Sequence, residues 1–269
     1  LIVGLGYDTV EVEYEAWIAD VPLLQIDIEA VDVAPSVTVA AEVTGSLDDS
    51  LKRLADSGAG ASEWTAEAVA AHKKEFQESL RPAAKGLTPY QVIDAVRDVL
   101  PREGILSFDV GAHTHQIASQ WTAHAPREFL ITNGWSSMGF GFPAAIAAKI
   151  ARPDLPVVCI IGDGCFQMTC GELATARRMG LAIPFVVLND STLSLIHIKQ
   201  SQRQFGNSGV ALETGNSGPT PQHYFGAPAI GVDNIPELKE RLAAAFAADG
   251  PSVIETYVDP AHYMETVFD

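Results

Sequence analysis

An α/β fold built on a doubly wound parallel sheet is the architecture this sequence predicts, and three observations predict it. From residue 88 onward, short apolar runs alternate with longer amphipathic stretches, the order that yields strands joined by crossover helices. The apolar runs are nearly continuous instead of alternating, as expected of strands covered on both faces. Glycine-rich breaks follow several of them, at the carboxyl strand ends where such sheets hold their ligands.

Taken in order, residues 1–6 (LIVGLG) and 22–27 (PLLQID) read as buried parallel strands, with a third over 37–43. A helix is expected over 46–55, with Ser46 as its cap and acidic residues in the first turn. The alanine-rich, charged stretch 62–78 reads as a connecting helix. The domain boundary is placed there: a first part over 1–60, a linker helix over 61–85 and a second domain over 86–269. In that domain the expected helices are 88–100, 113–121, 138–150, 171–179, 193–202 and 235–248. The expected strands are 104–109, 128–132, 156–161, 183–189, 228–232 and 252–258. A polar, glycine-rich loop over 206–221 reads as a lid or a disordered connection.

At 269 residues and 47% hydrophobic, the chain can bury one large core or two smaller ones. Its formal charge of −17 argues against a nucleic-acid or membrane-surface binder. No apolar run approaches the ~18–20 residues of a membrane span, and a cytoplasmic protein is the expectation. Cys159, Cys165 and Cys170 form no CxxC pair and read as reduced side chains. The chain opens on an apolar run that starts with Leu1, which reads as a strand inside a longer protein.

An anionic ligand on so acidic a chain needs a local solution, from helix-start N–H groups or a metal ion. The stretch VVCIIGDGCFQMTCGELATARRMGLAIPFVVLNDSTLSLI offers both. A strand ends at Ile161, and Gly162-Asp163-Gly164 reads as a sharp turn whose glycines permit positive φ and close approach of an anion. A second strand ends in Asn189-Asp190, 27 residues after Asp163. If the strands are neighbours joined by one right-handed crossover, both carboxylates emerge at one edge and suit Mg2+, a hard cation with oxygen ligands. A GDG turn alone is also how ordinary strands end.

With that spacing, the segment resembles the thiamine diphosphate (ThDP) motif of the acetolactate synthase and pyruvate decarboxylase superfamily. The resemblance implies Asp163, Asp190 and the Thr192 main-chain carbonyl as metal ligands, with Asn189 as the substitute because the later ligand is usually asparagine. It implies that Gly162 and the N–H groups of Gly164 and Cys165 face the diphosphate. The segment TNGWSSMGFGFPAAIAAKI, residues 132–150, resembles the family's glycine-rich stretch. There Met138 would wedge between the cofactor rings, and the Ser136 carbonyl and Met138 N–H would bind the aminopyrimidine; taken alone, Met138 is equally a core filler. FDVGAHTHQIASQW, residues 108–121, places Gly111, Ala112 and His113 where the family carries Gly-Gln-His, so the glutamine contact is absent and His113 touches diphosphate or substrate, or caps a helix.

The opening residues resemble the end of the family's Rossmann-like middle domain, so 1–60 is expected to be its carboxyl-terminal portion. The resemblance implies a ThDP- and Mg2+-dependent 2-oxo acid carboligase or decarboxylase. The activating glutamate would lie in a pyrimidine-binding domain of the same or a partner chain, which these 269 residues do not resemble. A homodimer or homotetramer follows, and a chain inactive alone; FAD is compatible with the family but called for by no motif here. Oxalyl, aryl-ketoacid or sulfopyruvate decarboxylation stays open, as does a silent binding or assembly module. Lys199, near the position of a family tryptophan, either meets a substrate carboxylate or is a solvated helix lysine.

Overall fold

The computed structural model describes residues 1–7, 18, 20–58, 60, 62–132, 134–212 and 220–267. It divides into two compact units, Leu1–His72 and Lys73–Phe268. In the first, β1 (Ile2–Leu5), β2 (Leu23–Asp27) and β3 (Val39–Thr44) pair in parallel in that order, and α1 (Leu47–Asp56) follows. Ser46 caps α1 as expected, its hydroxyl accepting the Asp49 N–H at 3.2 Å. The third strand is present, but the expectation of burial at 1–6 is corrected. Leu23 and Ile26 of β2 are buried, but every residue of β3 is exposed, as are Val3 and Leu5 of β1. An apolar run favours an extended chain, whereas burial depends on what packs over it. Residues 8–17 lie outside the described residues.

The division between units falls inside α2 (Ala66–Ser79), which starts later than expected because the Thr65 hydroxyl accepts the Ala68 N–H at 3.1 Å. The second unit then runs α3 (Pro89–Val99), β4 (Ile105–Phe108), α4 (Ala112–Gln120), β5 (Phe129–Leu130), α5 (Gly141–Ala151) and β6 (Val157–Gly162). It continues with α6 (Asp163–Thr169), a 3-10 turn, α7 (Leu173–Arg178), β7 (Pro184–Asn189) and α8 (Ser194–Gln202). Last come β8 (His223–Tyr224), β9 (Ala227–Val232), α9 (Ile235–Phe246), β10 (Ser252–Tyr257), a second 3-10 turn and α10 (Tyr263–Thr266).

Among the described residues the strands form one sheet in the order β5-β4-β6-β7-β10-β9-β8, parallel except for β8 against β9. Side chains of β6 divide between its faces. Val158 and Ile160 join α3, α4 and α9 residues such as Val92, Ile117 and Leu238, while Val157, Cys159 and Ile161 join Phe142, Phe166 and Leu173 of α5, α6 and α7. This is the doubly wound sheet that the alternation predicted. The chain leaves β4 outward to β5 and leaves β6 in the other direction to β7. The order therefore reverses between β4 and β6, opening a crevice at their carboxyl ends. No helix among the described residues is long and apolar enough to cross a membrane.

Two helix starts differ from expectation. The helix expected at 138 begins at Gly141, because the preceding residues turn left-handed at Gly134 (φ 77°), Ser136 (φ 45°) and Gly139 (φ 87°). The helix expected at 171 is α7, starting at Leu173, and an additional helix, α6, starts at Asp163 itself, with extended Gly162 as its cap. Gly141 starts α5 directly on the end of β4. A β-carbon there would lie 2.9 Å from the Phe108 carbonyl carbon and 3.0 Å from the Asp109 nitrogen, backbone atoms that cannot rotate away. Gly141→Ala is accordingly expected to cost about 3 kcal/mol, read as a lower urea midpoint at unchanged m-value.

Candidate cofactor site

At the end of β4 the fully buried Asp109 carboxylate gathers three backbone donors. Its Oδ1 accepts the N–H of Val110 at 2.8 Å and of Gly139 at 2.9 Å, and its Oδ2 that of Gly141 at 2.9 Å. One acidic side chain thus fastens the glycine-rich 134–139 segment to the strand end and presents Ser136 and Met138 to the crevice. The chain then turns into α4 through Gly111, whose N–H donates to the Thr114 hydroxyl at 2.9 Å.

His113, in the first turn of α4, lies between the ends of β4 and β6. A β-carbon at Gly111 would come within 2.7 Å of its ring, and one at Gly162 within 3.0 Å. Gly162 has φ −72°, and neither it nor Gly164 takes a positive φ, so the expected reason for these glycines is corrected. Gly162 makes room for the imidazole. Gly164 makes room for Leu193 and the terminal methyl of Met138, 2.6 Å and 3.5 Å from where its β-carbon would stand. Burial pushes the His113 pKa down to about 4 against the pull of Asp109, leaving the ring neutral near pH 7. Its Nε2 is buried without a hydrogen-bond partner among the described residues.

Asp163 opens α6. Its Oδ1 accepts the Gly164 N–H and its Oδ2 the Ser191 N–H, both at 2.7 Å, the second binding the β6 end to the turn after β7. Asp190 accepts the Thr192 N–H at 2.9 Å and the Ser194 hydroxyl at 2.6 Å. The neighbour Asn189 instead donates to Glu255 at 2.7 Å and does not line the cavity, which leaves Asp190 as the carboxylate presented there. Burial raises both acids. Asp163 is pushed up to about 7 by burial and then by the charge of Asp190, against its backbone donors. Cys165 is no nucleophile here, since burial holds its thiol far above the ordinary range and its S–H points at the Val110 carbonyl, 3.1 Å away. All three cysteines are free.

These elements enclose a cavity of about 200 Å³. Gly111, Ala112 and His113 line it from β4–α4, Ser136 and Met138 from the glycine-rich segment, Gly162, Asp163, Gly164 and Cys165 from β6–α6, and Asp190 and Thr192 from β7–α8. Every candidate cofactor or metal residue named from the sequence, the substitute Asn189 apart, is thereby brought to one place. Lys199 is not on its wall; it sits on α8, where its charge adds to burial in holding the His115 pKa down. Of the expected lid, 213–219 lie outside the described residues, while Leu212 donates its N–H to the Ser191 carbonyl at 2.9 Å. Sequence reasoning missed Asp109, Ser194 and Tyr263. The FDVGAH strand end was the available signal for Asp109, since an acid before a glycine turn commonly ties down backbone N–H groups.

The wall suits a small anion carried on a divalent cation. The buried Asp163 and half-buried Asp190, whose charged forms are disfavoured, supply hard oxygen ligands, and Thr192 lines the same wall. Among the described residues no group of three or more His, Cys, Asp or Glu side chains could hold a metal ion, so backbone and ligand oxygens would complete the shell. The orphaned His113 Nε2 and the glycine-lined floor leave space and hydrogen-bonding capacity for the anion.

Comparison with known proteins agrees with this geometry. Residues 109–256 match the family model described as thiamine pyrophosphate enzyme, C-terminal TPP binding domain. The chain is 28% identical to the acetolactate synthase isozyme 1 large subunit of Escherichia coli over 96% of its own length and 47% of that protein. It is 32% identical to the acetolactate synthase large subunit of Parasynechococcus marenigrum, over 84% of its own length and 36% of that protein. The chain spans about half the length of the first relatives it matches. With more than half of its residues inside the family model, and the crevice of its sheet inside that match, this chain belongs to the thiamine pyrophosphate enzymes, in the acetolactate synthase and pyruvate decarboxylase superfamily.

Proposed function

We propose that this chain binds ThDP through Mg2+ and supplies the diphosphate-binding half of an acetolactate synthase-like enzyme that decarboxylates a 2-oxo acid and joins the remainder to a second carbonyl compound. The observation that carries the reading is the meeting of three separate sequence segments at one cavity with two carboxylates, Asp163 buried and Asp190 half-buried. In it, Asp163, Asp190 and the Thr192 carbonyl would hold the cation, whose charge would offset the repulsion between the two acids. The main-chain N–H groups of Cys165, Ala112 and His113 would face the diphosphate, whereas the Gly164 N–H, expected there from the sequence, donates to Asp163 Oδ1 at 2.7 Å. Gly111, Gly162 and Gly164 keep the floor free of side chains.

Met138 would lie between the two cofactor rings, and the Ser136 carbonyl and Met138 N–H would hold the aminopyrimidine. Asp109 fixes both through Gly139 and Gly141. When bound, the cofactor supplies an electron sink for the carbanion left by loss of CO2. The chain's own part is to bind, orient and exclude water. Residues 1–60 are read as the end of a middle domain, and the activating glutamate as part of a pyrimidine-binding domain on the same or a partner chain in a homodimer or homotetramer.

Calorimetric titration of ThDP into the purified chain tests this. Binding heat is expected with Mg2+ and none with excess chelator, together with no release of CO2 from pyruvate above background. Absence of metal-dependent binding would overturn the cofactor reading. Steady turnover by the chain alone would overturn the placement of the glutamate elsewhere.

A further inference from the structure

Tyr263 belongs to none of the segments that point to the cofactor by motif, yet it lines the same cavity as Asp163 and Asp190. Its place follows from the sheet. β10 pairs with β7 so that Tyr257 lies opposite Asn189, and the Val258 N–H donates to the Asn189 carbonyl at 3.0 Å. The chain therefore leaves the sheet at the edge from which Asp190 projects. Asp259 then caps the 3-10 turn by accepting the Ala261 N–H at 2.9 Å, which turns the chain back over the crevice.

The Tyr263 side chain is 4% exposed and packs with Ala112 of α4, Ile198 of α8 and Val267. No hydrogen bond joins its hydroxyl to a described residue. The hydroxyl is not among the buried polar atoms that lack a partner, so its oxygen keeps access to the cavity and can meet a ligand there. Burial, and then the charges of Asp190 and Asp163, hold its ionisation well above the ordinary range. It thus remains an O–H donor at any working pH. A donor on the wall shared with two metal-binding acids faces the part of a ligand that is richest in acceptor oxygens.

We propose that Tyr263 is a binding residue that donates a hydrogen bond from its hydroxyl to a phosphate oxygen of the bound diphosphate. This rests on the cofactor reading above and extends it to a residue from the last helix of the chain. The contact works only while α10 is seated, so it couples that helix to occupancy of the site.

The test compares wild type with Tyr263→Phe, which keeps the packed ring and removes only the donor. Each protein is titrated by calorimetry with ThDP and, separately, with inorganic pyrophosphate, both with Mg2+. The variant is expected to bind both ligands about tenfold more weakly, as fits one lost bond to a charged oxygen, with the melting temperature of the ligand-free protein unchanged. Equal affinities in the two proteins, or a loss for ThDP with none for pyrophosphate, would overturn the assignment while leaving the cofactor reading intact. Failure of wild type to bind either ligand would overturn the cofactor reading and the tyrosine contact with it.

Discussion

Asp109→Ala is expected to destabilise the ligand-free protein by about 4 kcal/mol and to lower its melting temperature by about 12 °C. The carboxylate is fully buried and satisfies three backbone N–H groups, two of which lie 30 and 32 residues further along the chain. Truncation leaves those donors facing a small void, and an unsatisfied buried donor costs about 1–3 kcal/mol. Asp109→Asn separates charge from shape. Its single amide oxygen can still accept from Val110 and Gly139, but its NH2 would meet the Gly141 N–H, so a loss of about half that of alanine is expected. Thermal denaturation of the pair checks this graded order. Equal melting temperatures for wild type and Asp109→Ala would show that the three hydrogen bonds do not hold the glycine-rich segment to the strand.

The same carboxylate marks the limit of what the sequence makes legible. The alternation of runs after residue 88 is written in local composition, because strands covered on both faces and helices with one apolar face each leave their own pattern. Ser46 and Thr88-Pro89 mark helix starts for equally local reasons. What Asp109 holds is decided by atoms about 30 residues away, and no period or spacing encodes that. The Gly-Asp-Gly turn shows the same limit from the other side. Its position was legible, but the need for glycine arises from the His113 ring and the Leu193 and Met138 side chains, which come from other elements. Tyr263 escaped notice because its role depends on where β10 ends relative to β7. In the first unit, apolar runs identified strands, while the exposure of β3 depends on packing that those runs do not encode.

Asp190→Asn is expected to move stability and metal binding in opposite directions. In the ligand-free protein, burial and the neighbouring carboxylate raise Asp163 to about 7 from an ordinary 3.8. Between those pH values the folded state keeps a proton that the unfolded chain has released. Stability from this group is therefore present at low pH and is lost as pH rises from about 4 to about 7, by about 4 kcal/mol. Removing the Asp190 charge removes part of that penalty. The amide oxygen can still accept the Thr192 N–H, and the Ser194 hydroxyl can turn to accept from the new NH2. At pH 8 the variant is expected to melt about 5 °C higher than wild type, a gain that shrinks toward pH 4.5, where Asp163 is protonated. Mg2+-dependent ThDP binding should weaken about tenfold, since a neutral ligand replaces a carboxylate on a hard cation. Melting curves at the two pH values and a Mg2+ titration at fixed ThDP read both effects. A lower melting temperature at pH 8 would mean that Asp190 stabilises the fold independently of any cation, and unchanged Mg2+ affinity would remove it from the ligand set. If both shifts appear, the two carboxylates are held together at a cost to the empty protein that only a bound cation offsets.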